Sequence, residues 1–199
     1  MNIDYLKEVL SKREVNIMGQ DEEYKKYSVV IPIVYDDEYK ILFEVRSKKL
    51  KFQPGDISLP GGKIEEGEIP KQAAIRELIE ELGISDENFE FIGQFDTLVT
   101  YHGKIIYVFV VFLKELNFKL SVDEVDEIFL VPISFFKENV PDMYYASISA
   151  RFEKENKYIN MNQRLLSSRS PIYFYGYNGQ LIWGITAKII YNFIKNIFE

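Results

Sequence analysis

Apolar residues recur along this chain with two periods, and the switches between them mark its elements. Ile3, Leu6, Val9 and Leu10 fall at helical spacing near the start and predict an amphipathic helix. Ala74, Leu78 and Leu82 repeat every fourth residue and predict a second helix over Pro70–Leu82. Pro70 suits the first turn, where its missing N–H has no partner to lose. Gly83 stands where a left-handed residue would stop that helix, with Ile84 folding back as the apolar contact. Trp183, Ala187, Ile190 and Ile194 place an apolar stripe on a C-terminal helix. Between the helices, segments rich in Ile, Val, Phe and Tyr predict strands at Ser28–Tyr35, Lys40–Val45, Phe89–Val99 and Ile105–Leu113. Asp36-Asp37 falls in the turn between the first two. Val125–Val131 reads as a strand or loop end before Pro132, and Ile133–Glu138 as a short helix. No repeat or linker interrupts the pattern, so residues 1–199 read as one α/β domain.

Composition narrows this picture. Hydrophobic residues make up 47% of the chain, enough for a folded core. A net charge of −7 argues against a general nucleic-acid-binding surface. The N-terminus is charged from Asp4 onward, unlike a signal peptide. The longest apolar run, Ile105 to Leu113, is too short to span a bilayer as a helix. With no cysteine, a nucleophilic thiol and a zinc ribbon are excluded, and a reducing, cytoplasmic setting fits.

The helix over Pro70–Leu82 carries the candidate chemistry. Glu77, Glu80 and Glu81 stand at i, i+3 and i+4, so their carboxylates share one face, separate from the apolar stripe. Like charges at that spacing destabilise a helix by roughly a few tenths of a kcal/mol per pair. Such a face is either solvated or compensated by a divalent cation. Carboxylate oxygens suit Mg2+, with Mn2+ as the natural substitute. Arg76 lies one turn from Glu80 and can pair with it. Gly61-Gly62 would let the backbone approach a metal closely.

The segment GKIEEGEIPKQAAIRELIEELGI, from Gly62 to Ile84, fits the pattern G-x5-E-x7-R-E-U-x-E-E-x-G-U, with U aliphatic, at every fixed position. Chance agreement is on the order of one in a million or rarer at average residue usage. The chain thereby resembles the Nudix hydrolases. The resemblance implies an α/β/α sandwich with a mixed central sheet, a box helix and a C-terminal helix. It also implies hydrolysis of a nucleoside diphosphate linked to another moiety. By the same resemblance, the Gly62 carbonyl, Glu77, Glu80 and Glu81 would hold metal and Arg76 would orient the carboxylates. Glu68 would be an outer ligand or general base. In this family a glutamate on a later loop often approaches the metals. Glu124, in the pair Glu124-Val125, matches it best, Glu127 is the next candidate, and an ordinary solvated acidic loop is the alternative.

Upstream, Ile41 to Gly62 reads ILFEVRSKKLKFQPGDISLPGG. It resembles the segment LLT-x-R-[SA]-x3-R-x3-G-x3-F-P-G-G that marks the coenzyme A diphosphatase branch. Leu42, Arg46, Ser47, Gly55, Pro60, Gly61 and Gly62 match. Phe43-Glu44 replace LT, Lys51 replaces Arg, and Leu59 replaces Phe. The resemblance implies that Arg46, Ser47, Lys51 and Gly61 meet the substrate, with basic groups reading the 3′-phosphate of coenzyme A. An ordinary charged surface loop is the other reading. Ile182-Trp183-Gly184-Ile185-Thr186-Ala187 resembles a second marker of that branch.

The activity implied is cleavage of coenzyme A or its thioesters to 3′,5′-ADP and 4′-phosphopantetheine derivatives, with no membrane or nucleic-acid partner and a homodimer by resemblance alone. Hydrolysis of ADP-ribose or another nucleotide derivative is the second reading, and a non-catalytic nucleotide sensor the third. Tyr101 sits where some dinucleoside-polyphosphate hydrolases carry a tyrosine, but one of 14 tyrosines falling there discriminates little. His102, beside Gly103, reads as a turn residue. The Tyr-, Asn- and Ser-rich stretch from Met143 to Tyr177 suits a nucleotide-facing wall or a dimer contact.

Overall fold

A computed structural model describes residues 2–14, 16–149 and 168–198. Helix α1 (Ile3–Lys12) precedes strands β1 (Lys25–Asp36), β2 (Glu38–Arg46), β3 (Ile57–Ser58) and β4 (Gly61–Lys63). Helix α2 (Pro70–Leu82) is followed by β5 (Phe89–Val99), β6 (Lys104–Leu113), β7 (Val125–Pro132) and α3 (Ile133–Glu138). Strands β8 (Asp142–Ile148), β9 (Ser168–Tyr177) and β10 (Gln180–Trp183) lead into α4 (Gly184–Phe198).

The main sheet runs β3-β2-β1-β6-β5, with β4 also on β1 and β7 also on β2. It is mixed: β1 and β6 are parallel over Lys25–Val34 and Lys104–Leu113, and the other pairs are antiparallel. Alternation along each strand sends side chains to two cores. Val30, Val34, Leu42, Phe109 and Val111 pack with Ala74, Leu78 and Leu82 of α2. Ile31, Ile41, Phe43, Val108 and Val110 pack with Ala187, Ile190, Phe193 and Ile194 of α4. The result is the expected α/β/α sandwich, and the second core also takes in Tyr175 and Ile182 of a three-stranded sheet, β10-β9-β8.

That second sheet is unforeseen in the hydrophobic pattern. Trp183 belongs to it: the residue ends β10 and stacks on Phe174 at 6.1 Å, and α4 begins only at Gly184, whose φ of +65° turns the chain there. The stretch from Met143 to Tyr177 thus contributes β8 and β9 at its ends, while residues 150–167 lie outside the described part. Helix α1 forms as predicted yet buries none of its residues. Among the described residues, no helix is long and apolar enough to cross a membrane.

Helix α2 has the boundaries its sequence predicts. The Gln72 side chain accepts a hydrogen bond from the Ile69 N–H at 3.1 Å, closing the first turn. Gly83 takes the left-handed conformation at φ 63° and donates to the Ile79 carbonyl at 2.9 Å. The helix end is then tied to a distant loop. The Leu82 carbonyl accepts from the Lys119 N–H and the Glu81 carbonyl from the Ser121 N–H, both at 3.0 Å. A Cβ on Gly83 would lie 2.0 Å from the Lys119 carbonyl oxygen. Gly83→Ala should therefore lower stability by roughly 1–2 kcal/mol for the left-handed backbone alone. Displacing the 119–121 loop should add to this. Urea denaturation measures the loss, and unchanged stability would show that the cap is not strained by a side chain.

Candidate functional site

One end of α2, the β1–β4 pair and the loop before β7 bring the acidic residues together. Strand β4 lies against β1 with Gly62 opposite Ser28 and Gly61 opposite Val29. The Gly61 N–H donates to Glu81 Oε2 at 2.8 Å, which fixes the helix face against the glycine loop. Neither glycine leaves room for a side chain. A Cβ on Gly61 would lie 2.3 Å from the Ser28 carbonyl oxygen, and one on Gly62 the same 2.3 Å from Glu77 Oε1.

Arg76 spans the outer half of the cluster. Its Nε and Nη2 donate to the two Glu68 oxygens at 3.0 and 3.1 Å. Nη1 donates to Glu77 Oε1 at 2.8 Å and to Glu80 Oε2 at 3.2 Å, and Nη2 also reaches the Lys63 carbonyl at 3.2 Å. The predicted partner Glu80 is thus joined by Glu68 and Glu77. Arg76 holds the Glu68 carboxyl below its ordinary range, and Glu68 and Glu77 raise the guanidinium in return.

The inner half is different. Glu81 is only 6% exposed, and burial pushes it up to about 10, with the charges of Glu44, Glu77 and Glu124 acting the same way. Glu77 is also raised by burial, against the opposing pull of Arg76. Glu44, at 2% exposure, is raised to about 8 by burial, with Arg46 lowering it and Glu124 and Glu77 raising it. The interior therefore holds more carboxyl groups than its surroundings can keep ionised.

Glu44 is the residue that sequence reasoning noted only as a departure from a pattern. It stands in β2 between Phe43 and Val45, opposite Ser58 of β3 and Ile128 of β7. A lone carboxylate in the apolar run Ile41–Val45 was the available signal.

The loop before β7 is anchored by Ser47. Its hydroxyl donates to the Val122 carbonyl at 3.3 Å and hydrogen-bonds Asp126 Oδ1 at 3.1 Å, while its N–H donates to the Glu124 carbonyl at 2.8 Å. Ser47 thus positions the segment carrying Glu124, whose charge reaches Glu44, Glu77 and Glu81. Glu127 faces away. It lies opposite Val45, a residue of the α4-side core, and accepts from Gln180 Nε2 at 3.4 Å.

The basic run divides. Lys49 pairs with Asp123 at 2.8 Å, Lys48 and Lys51 are exposed, and Arg46 is partly buried, its charge acting on Glu44. His102 and Tyr101 touch edge-on in the exposed β5–β6 turn.

The donor set is all oxygen, which suits a hard divalent cation. Among the described residues, no three acidic or histidine side chains are arranged to hold a metal ion by themselves. Arg76 occupies oxygens of Glu77 and Glu80, and the Gly61 N–H occupies one of Glu81. Three buried polar atoms of β1 and β2 have no hydrogen-bond partner: Ser28 Oγ, Glu44 Oε1 and Arg46 Nε.

The NUDIX domain family matches residues 25–147. A peroxisomal coenzyme A diphosphatase of Mus musculus is 33% identical over 147 residues, covering 72% of this chain and 61% of that protein. One of Caenorhabditis elegans is 31% identical over 140 residues, covering 68% and 60%. An uncharacterised Nudix hydrolase of Photorhabdus laumondii is 27% identical, with 85% and 83% covered. The chain spans about three-fifths of the length of the two coenzyme A diphosphatases it matches.

Proposed function

The chain belongs to the Nudix family, and on that premise we propose that it is a metal-dependent diphosphatase of coenzyme A or acyl-coenzyme A. The observation that carries the reading is the acidic interior: Glu77 and Glu81 lie against Gly61-Gly62, Glu44 and Glu124 act on them, and among the described residues the only cations that counter these carboxyls are Arg76 and Arg46. A divalent cation would offset that charge. Glu77, Glu80, Glu81 and the Gly62 carbonyl would hold it. Bound there, Mg2+ or Mn2+ would supply an activated water and would neutralise charge on the phosphoryl oxygens.

The chain's own residues do the rest. Arg76 keeps Glu68, Glu77 and Glu80 in register, so their orientation is set before substrate arrives. Glu124, on the exposed loop, or Glu68, just ahead of α2, takes the proton from the attacking water. The products are 3′,5′-ADP and the 4′-phosphopantetheine portion. The upstream segment and the two similar coenzyme A diphosphatases support this substrate class. In the same reading the enzyme works in the cytoplasm on a small molecule, as one copy or as a homodimer.

The test is purified protein with Mn2+ and, in separate reactions, coenzyme A, ADP-ribose and diadenosine polyphosphates, with products resolved by mass. Release of 3′,5′-ADP from coenzyme A, faster than cleavage of the others, is the expected result. Cleavage of another substrate while coenzyme A survives would overturn the substrate assignment and leave a diphosphatase. No cleavage of any would favour a nucleotide sensor.

Lys51 sharpens the substrate question. It is exposed and free to meet a phosphate as a point charge. Lys51→Ala should raise KM for coenzyme A by about fivefold, the size of one exposed ion pair of about 1 kcal/mol. Dephospho-coenzyme A, which lacks the 3′-phosphate, should show no change. Equal effects on both would remove Lys51 from phosphate recognition. Arg46 is unsuited to this test, since its charge acts on Glu44 and its loss would disturb every substrate.

A further inference from the structure

We propose that Glu44 is itself a ligand of the divalent cation, so that the metal is gripped between strand β2 and helix α2 and not by the helix and glycine loop alone. The inference rests on the metal site proposed above and extends it to a residue on a different element.

Three observations carry it. Glu44 is placed toward α2. Along β2, Ile41, Phe43 and Val45 pack with the α4-side core, whereas Leu42 packs with Ala74, Leu78 and Leu82 of α2. Glu44 shares the face of Leu42, and its strand partner Ile128 belongs to the α2-side core as well. Second, Glu44 is 2% exposed, and its Oε1 is buried without a hydrogen-bond partner. A buried acceptor left in that state has lost its hydration with nothing in return. Such a group calls for an explanation, and a bound ion is one of them.

Third, the obvious internal partner does not serve. Arg46 is two residues away, yet its Nε is also buried and unpartnered. The neighbours that act on Glu44 besides Arg46 are the carboxylates of Glu124 and Glu77, and Glu44 in turn acts on Glu81. A carboxylate aimed into other carboxylates is answered by a cation, and an all-oxygen set selects a hard one.

Binding of Mn2+ decides the matter without any turnover assay. Free Mn2+ is measured by electron paramagnetic resonance during titration of the unsubstituted protein, Glu44→Gln and Glu44→Thr. Glutamine keeps the shape and removes the charge, and threonine is what the resembling pattern carries at this position. Both variants should bind Mn2+ at least tenfold more weakly than the unsubstituted protein. Unchanged affinity and stoichiometry in a folded variant would overturn the assignment of Glu44 while leaving the metal site standing. Failure of the unsubstituted protein to bind Mn2+ would overturn both. Should neither variant fold, the Mn2+-induced relaxation rate of the Glu44 carboxyl carbon in the unsubstituted protein answers the same question: a rate equal to that of the Glu81 carboxyl carbon supports ligation, and a much slower one refutes it.

Discussion

Glu80→Gln is expected to slow turnover of the diphosphate substrate by roughly a hundredfold or more while leaving the melting temperature almost unchanged. The two halves of this result have separate causes. Glu80 has a side chain 55% exposed, and among the described residues it pairs with Arg76 alone, at 3.2 Å. Pairs of that kind contribute about 0–1 kcal/mol to stability. Glutamine also keeps the length of the side chain, and α2 holds its place through Ala74, Leu78 and Leu82. The chemistry is more sensitive. In the proposed role, removing a ligand charge would weaken a metal's hold on phosphoryl oxygens, an effect worth several kcal/mol in the transition state. At about 1.4 kcal/mol per tenfold, that is roughly two or more powers of ten in rate. Steady-state kinetics at saturating Mn2+, beside a thermal melt, measures both halves. Near-normal turnover would remove Glu80 from the site, and a lowered melting temperature would mean that it serves the fold.

The second large effect is on stability. In the presence of a chelator the protein should be more stable near about pH 5 than near about pH 8. Burial raises Glu44 from the ordinary carboxyl value of 4.5 to about 8, and Glu81 to about 10. Between 4.5 and 8 the unfolded chain has released these protons while the folded protein retains them. The folded state then binds more protons than the unfolded one, so stability falls as pH rises. Above about 8 Glu44 ionises in the folded protein too and its contribution stops changing, while that of Glu81 continues to about 10. Glu68, held low by Arg76, acts in the opposite sense but below this window. A loss on the order of a few kcal/mol is expected across it. Saturating Mg2+ should flatten the profile, because a bound cation stabilises the ionised carboxylates. Urea melts across the range measure this. A flat profile with chelator present would show that Glu44 and Glu81 ionise as ordinary surface groups.

What could be read from the sequence differs between α2 and the rest for a physical reason. The boundaries of α2 were legible because its stops are local: Pro70 at the first turn and Gly83 at the cap each act within a few residues. Strands β1, β2, β5 and β6 were legible because they are long and apolar. Strands β8, β9 and β10 were not, since their Tyr, Ser and Gly content looks like loop until the strands pair with each other. Trp183 shows the same limit. Its four-residue spacing to Ala187 imitates a helical stripe, and only the left-handed Gly184 places it in a strand. Within the site, Glu77, Glu80 and Glu81 follow from helical periodicity alone. Glu44 does not, because its meaning depends on which face of the sheet β2 turns toward the α2-side core, an arrangement of distant segments. Ser47 was read as meeting substrate, and the structure engages its hydroxyl with Val122 and Asp126.

The parallel pairing of β1 with β6 bears on how the molecule reaches this state. Parallel neighbours require a long crossover, and here the crossover contains β2, the glycine loop and all of α2. Closing so large a loop forfeits chain entropy before any contact returns it, which slows folding. The carboxylates come from β2, α2 and the loop at Glu124, so they meet only after that closure. On the proposed metal site, a nascent chain still lacking residue 124 holds the Nudix box without its full set of carboxylates, so cation binding is expected only after the β1–β6 pairing has formed.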